Sequence, residues 1–266
     1  MLDGMNFVIT GGARGIGASA ARMVASLGGR VVITDVDDVE GEQVAADIAE
    51  GGHLAKYFHC DIADAKEVAS LMEFTADTLG GIDVVHNNAG IHEATISEDC
   101  SIEGMSDETW DRVMAINLRG PWLCSKYAVP YLKRSEYPSI INAGSNASFV
   151  GASGNLAYGP SKTGIVGLTR NLAVDLAKYK IRVNCYCPSN IRTRMTEDYI
   201  ESSGDPGAMF NLTKTHLMPR LGEPEEVAEL VCFLASRQAS FVTGAIWLID
   251  GGQLAWRGTA DTIGLA

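Results

Sequence analysis

The chain has 266 residues, 46% of them hydrophobic, enough for a sizeable core and too many for a disordered chain. It carries 21 Lys and Arg against 33 Asp and Glu, and this net charge of -12 argues against nucleic acid or an anionic membrane as the main partner, since both need clustered positive charge. No linker, repeat, low-complexity run or membrane-length apolar stretch divides it, so residues 1–266 read as one domain.

The six cysteines (Cys60, Cys100, Cys124, Cys185, Cys187 and Cys232) form no CxxC pair and lie mostly in apolar stretches, as reduced core thiols of a cytoplasmic protein would. The five histidines have no metal-ligand spacing, and no metal site is expected. The N-terminus reads directly as a first strand, so no signal peptide is expected.

That strand is residues 5–9, and TGGARGIG, residues 10–17, follows it before a helix expected over 15–28. Glycine suits such a turn because it accepts φ > 0 and lets a ligand approach the backbone. Gly11, Gly15 and Gly17 could shape a pyrophosphate site at a helix N-terminus, or merely a tight turn kept for packing. The second strand, 31–34, ends at Asp35, 18 residues after Gly17. A carboxylate there can accept hydrogen bonds from an adenosine ribose, or it can cap the next helix, expected over 38–50. Both features in one βαβ unit favour the dinucleotide.

Further strands are expected at 55–60, 84–86, 140–142, 183–186 and 245–249, alternating with helices at 64–79, 107–133, 155–179 and 224–236. Apolar rather than alternating strands, separated by helices, mean a parallel sheet covered on both faces, with ligands at the carboxyl ends of its strands. The run 189–220 breaks the rhythm with Gly204, Pro206 and Gly207 and no strand signal, which suggests a lid or binding loop. Its Met195, Tyr199, Met209, Phe210, Leu212, Leu217 and Met218 could line a pocket or pack the lid onto the body. Leu168, Leu172, Val174 and Leu176 give the helix at 155–179 more apolar positions than one sheet-facing stripe needs, which suggests subunit contact.

Tyr158 and Lys162 stand four apart, on one face of that helix, and Ser145 follows the fifth strand. A tyrosine near pKa ~10 is a poor base at neutral pH, but an ammonium and a cationic nicotinamide beside it both favour phenolate. A lone Tyr-x-x-x-Lys is usually a solvated face. Together with Ser145 and the glycine turn it reads as a site for proton exchange.

At this point the chain resembles the short-chain dehydrogenases/reductases over essentially its whole length. The matching residues are Thr10-Gly11 to Gly15-Ile16-Gly17, Asp61-Ile62, Asn87-Asn88-Ala89-Gly90, Asn117, Ser145, Tyr158 with Lys162, and Pro188 through Thr193. The resemblance implies a single-domain Rossmann-type, doubly wound α/β fold of about seven parallel strands, and an Asn117-Ser145-Tyr158-Lys162 tetrad. By it Tyr158 exchanges the proton, Ser145 positions the reacting oxygen, Lys162 binds the nicotinamide ribose and lowers the tyrosine pKa, and Asn117 supports a proton-relay water. Asp61 and Ile62 would hold the adenine, Asn88 and Ala89 the central nucleotide, and Ile191 with Thr193 the carboxamide. Ser189 departs from the pattern, since the family usually places Gly after the proline.

By the same resemblance Arg14 sits where a basic side chain in this family can meet a 2′-phosphate, and Asp35 where a carboxylate binds free ribose hydroxyls; with Asp37 and Asp38 nearby, NAD is expected over NADP. Candidate substrate contacts are Asn146, Ala147, Asn155 and Met195. The expected reaction interconverts a small alicyclic or aromatic secondary alcohol and its ketone, and the resemblance implies a homotetramer. An NADPH-dependent reductase of carrier-bound 3-ketoacyl chains and a non-catalytic nucleotide sensor are the alternatives.

Overall fold

The computed structural model describes residues 1–265, apart from the side chains of Ser202 and Ser203. Seven strands, β1 (Asn6–Thr10), β2 (Arg30–Asp35), β3 (Ala55–His59), β4 (Val84–Asn87), β5 (Ser139–Ala143), β6 (Arg182–Pro188) and β7 (Ile246–Ile249), form one parallel sheet in the order β3-β2-β1-β4-β5-β6-β7. The doubly wound architecture is therefore as expected. Alternate residues of one strand enter different cores. Phe7 and Ile9 join the cluster formed with α1 (Gly15–Ser26), α2 (Asp38–Glu50) and α9 (Pro224–Ala235), whereas Val8 joins the one formed with α3 (Ala65–Leu79) and α5 (Gly120–Leu132). Burial on both faces is why the strands read as continuous apolar runs. The chain reverses direction of winding between β1 and β4, so a crevice opens at their carboxyl ends. Among the described residues no helix is long and apolar enough to cross a membrane.

Three stretches differ from expectation. The helix expected over 107–133 is α4 (Asp107–Met114), a wide π-turn (Ala115–Arg119) and α5. Pro121 has no amide to offer the carbonyl of Asn117 four residues back, and its ring crowds that carbonyl, so the regular ladder cannot pass through. The next helix starts three residues later than expected, as α6 (Tyr158–Leu176), after the turn at Gly154, whose φ is +76°. The region 189–220 contains α7 (Arg194–Ser203) and α8 (Ala208–Thr213); Gly204, at φ +60°, terminates the first. Its neck is closed by a parallel bridge between Ile191 and Gly222, with the Arg192 amide donating to the Gly222 carbonyl at 2.8 Å.

The apolar surplus on α6 is smaller than the sequence suggests. Leu176 lies in the core and Leu168 and Leu172 pack partly against it, which leaves Val174 exposed at 79%.

Candidate active site

The glycine turn leaves β1 at the crevice. Gly11 and Gly15 hold φ of +63° and +52°, which side-chain-bearing residues rarely adopt. Gly17 is fixed by proximity instead: a Cβ there would lie 2.1 Å from the Gly11 carbonyl oxygen. The Asn88 side chain clamps the turn from β4, donating to the carbonyls of Thr10 at 3.1 Å and Gly11 at 2.9 Å, while the Thr10 hydroxyl accepts the amides of Asn88 and Ala89. At the start of α1, Arg14 gives no side-chain cap and the first turn, with Ile16, holds no acidic residue. This helix end is suited to a phosphate.

Asp35 is not the helix cap; Asp37 is, accepting the Glu40 amide. The Asp35 carboxylate accepts the Ala13 amide at 3.1 Å and the Val36 and Asp37 amides at 2.8 and 3.2 Å, which holds it beside the turn. Arg14 is ion-paired with Asp37, and its guanidinium lies 3.9 Å from Glu40. Asp61 is bound to Arg112 at 2.9 Å, and Ile62 is buried next to it.

Across the crevice, Tyr158 and Lys162 occupy the first turns of α6. The Tyr158 side chain stands beside Ser145, which follows β5, near enough for the Ser145 hydroxyl to favour its ionised form. Lys162 is buried, donates to the Ala143 carbonyl at 2.9 Å, and has Nζ 5.6 Å from the Tyr158 ring centre. Burial lowers its pKa to about 8 and raises that of Tyr158, although the Ser145 hydroxyl works against the second shift. Asn117 is buried in the π-turn; its amide donates to the Ile91 carbonyl at 2.8 Å and the Ser161 hydroxyl at 3.1 Å and accepts the Ile91 amide. Gly90 fits against both, since a Cβ there would meet Lys162 Nζ at 3.2 Å and Asn117 Oδ1 at 3.3 Å. Thr193 closes the ring of elements by lying over Gly15.

Residues 11–253 match the family model described as enoyl-(acyl carrier protein) reductase. The chain is 39% identical to cis-4-hydroxycyclohexanecarboxylate dehydrogenase of Sinomonas cyclohexanicum, over 93% of this chain and 96% of that one. It is 37% identical to 2,5-dichloro-2,5-cyclohexadiene-1,4-diol dehydrogenase of Sphingobium indicum, over 94% and 97%. The ligand-free aldohexose dehydrogenase of Thermoplasma acidophilum superposes with a TM-score of 0.85 at 33% identity, covering 96% of each chain. The chain belongs to the short-chain dehydrogenase/reductase family. Dehydrogenases of this family are oxidoreductases that use nicotinamide cofactors, and this chain is one of that class.

In this short-chain dehydrogenase/reductase the other predicted residues divide. Pro188 ends β6 and Ile191 sits in the lid neck. Ala147 is buried, and its amide donates to Ser145 Oγ at 3.1 Å. Asn146 does not point at free space: Ser145 donates to its Oδ1 at 3.0 Å, and its Nδ2 donates to Gln253 at 2.7 Å. Met195 is exposed on α7. Asn155 accepts from His92 Nε2 at 2.7 Å, and the His92 ring lies 5.0 Å from that of Tyr158.

Ser189, where the family usually has Gly, makes three contacts: to Gln253 at 2.6 Å, to the buried His216 at 2.7 Å, and to Asn146 at 3.4 Å. Gln253 also donates to Thr215 at 2.9 Å. Neither this network nor Glu93 stands out in the sequence, because their partners lie 27 to 107 residues away. Below the turn, Tyr186 donates to Asn88 and contacts the buried His86 at 2.9 Å. All six cysteines are unpaired, and only Cys100 is not buried.

Proposed function

We propose that this protein is an NAD(H)-dependent dehydrogenase of small alicyclic or aromatic secondary alcohols, working reversibly on the matching ketones. The observation that carries the reading is the meeting of Tyr158, Ser145 and Lys162 at the strand ends opposite an uncapped glycine-rich helix N-terminus. The turn from Gly11 to Gly17 would hold the pyrophosphate, Asp35 the adenosine ribose, and Lys162 the nicotinamide ribose. When bound, the nicotinamide supplies the acceptor or donor of hydride, which no side chain can provide. Tyr158 as phenolate takes the hydroxyl proton of an alcohol, or as phenol returns it to a ketone oxygen, while Ser145 holds that same oxygen by a hydrogen bond.

An apolar substrate ring suits the exposed Phe149 and Val150 after Ser145 and the exposed Met195, Met209 and Phe210 of the lid. The relatives named for cyclic alcohols support it. The carrier-bound alternative is weakened because Arg14, the candidate 2′-phosphate partner, already pairs with Asp37. Buried unpaired thiols suit the reducing cytoplasm. Exposed Phe241, Leu248 on the edge strand β7, and Val174 are the surfaces on which the expected homotetramer would assemble.

The test is turnover of carbinol-deuterated cyclic alcohols by the wild type and by Tyr158→Phe. The variant should bind NAD(H) normally and lose ~10²-fold or more in turnover. Near-normal turnover by Tyr158→Phe would overturn the reading.

A further inference from the structure

Glu93 is a carboxylate with no exposed surface, six residues beyond β4 in the loop that leads from the crevice. Its Oε1 accepts the amide of Ala157 at 2.9 Å and its Oε2 the amide of Tyr158 at 3.1 Å. These are the first amides of the 19-residue helix α6, which has no side-chain cap of its own and no acidic residue in its first turn. A carboxylate brought from 64 residues away therefore does what a local cap does in other helices, and places negative charge where the helix dipole favours it.

We infer that Glu93 is the positioning residue of Tyr158: its two bonds fix where the phenol stands in the crevice, and its charge opposes loss of the phenol proton. This rests on the reading of Tyr158 as the group that exchanges the proton.

Two further titratable side chains, His92 and Cys100, lie near this carboxylate. His92 Nδ1 lies 3.7 Å from Glu93 Oε2 and accepts the Ala94 amide at 3.2 Å, while its Nε2 lies 2.7 Å from Asn155 Oδ1. Cys100 is the other titratable neighbour of Glu93; burial first, and then Glu93, push its thiol up. Around Tyr158 stand Lys162 from α6, His92 and Glu93 from the β4 loop, Cys187 and Tyr186 from β6, and the Ser145 hydroxyl. Glu93 and Cys187 both act to raise the phenol. Lys162 and Glu93 thus set opposite charges about one ring, one behind it in the helix and one at its backbone.

The experiment measures kcat for alcohol oxidation and thermal midpoint across pH in the full-length enzyme, for the wild type, Glu93→Gln and Glu93→Ala. Glu93→Gln keeps one acceptor and loses the charge. The acid limb of its kcat profile should move toward lower pH by about half a unit, because removing a negative charge makes phenolate easier to form. The KM for NAD should stay within twofold. Glu93→Ala loses both acceptors, so its thermal midpoint should fall and kcat should fall at every pH, with no recovery at the alkaline end. A Glu93→Gln profile that superimposes on the wild type, or an unchanged midpoint in Glu93→Ala, overturns the inference. If instead Tyr158→Phe keeps its turnover, the reading of Tyr158 fails, while the midpoint of Glu93→Ala still reports on the cap.

Discussion

Under the proposed function, cofactor preference should turn on the small space between Asp35 and Arg14. Both Asp35 oxygens are held by backbone amides from Ala13, Val36 and Asp37, so the carboxylate cannot swing away from an incoming ribose without breaking three bonds. A 2′-phosphate carries a charge of about -1.5 to -2. At about 4 Å, a pair of like unit charges costs ~1 kcal/mol in a water-like dielectric and ~4 kcal/mol at an effective dielectric of about 20. Asp35 is half-buried, so a figure between these limits of about 1.7 kcal/mol per unit charge applies, and ~1.5–2 charges bring it to roughly 3 kcal/mol. Arg14 could offset little of this. Its guanidinium is already paired with Asp37 and near Glu40, and an exposed ion pair is worth only about 0.2–1 kcal/mol. Since 1.4 kcal/mol is a factor of about ten, kcat/KM should favour NAD over NADP by roughly two orders of magnitude. Asp35→Asn keeps an acceptor oxygen for Ala13 and removes the charge, and should narrow the ratio by about tenfold. Adding Val36→Arg, at a position 58% exposed and next to the ribose carboxylate, should narrow it further. The assay is steady-state oxidation of one cyclic alcohol with each dinucleotide at fixed ionic strength. Equal or better wild-type turnover with NADP would refute the electrostatic reasoning and bring back the carrier-bound ketoreductase.

Stability should fall with acid through His86, which is wholly buried and has its pKa lowered to about 3 from the ordinary 6.5. The unfolded chain binds the proton first, so stability is complete above about pH 6.5 and is lost as pH falls toward 3; at pH 5 the loss is about 2 kcal/mol. Urea unfolding at pH 7.5 and pH 5 checks it, and His86→Gln should have a shallower dependence; an equal slope in the variant counts against His86. The lid should close over the substrate: amide exchange in 194–213 should slow when NAD and a ketone analogue bind together. No change there would make the segment a static surface.

What the sequence made legible follows the physics of each element. All seven strands were readable because a parallel sheet covered twice needs unbroken apolar runs, as in Val31 to Ile33 or Ile140 and Ile141. The glycine turn and the Tyr158 and Lys162 pair were readable from residue type and spacing, whereas Asn117 was reached only through the family resemblance. The break at 115–119 was marked only by Pro121, whose effect on a carbonyl four residues back is easily lost in a long apolar helix. Asn146 reads as a substrate contact by its place after Ser145, yet its amide is taken up by Ser145 and Gln253. Glu93 and Ser189 were opaque for the same reason: their partners are brought together by topology rather than by neighbouring sequence.

The three bonds of Ser189 bear on how this enzyme could be retuned. The far end of the 189–220 segment rests on a foundation drawn from separate parts of the chain: Ser189 just after β6, His216 within the segment, and Gln253 beyond β7. Trp256 and Ala260 add to it by donating to the carbonyls of Thr215 and Lys214. A loop graft cut at 189 and 220 would carry His216 away from Gln253 and leave Asn146, the neighbour of Ser145, with a mismatched partner. Exchange confined to 195–213 leaves that foundation whole while replacing Met195, Met209 and Phe210 together. The 189–220 segment is therefore modular at its outer half only, and its inner half travels with the C-terminal segment.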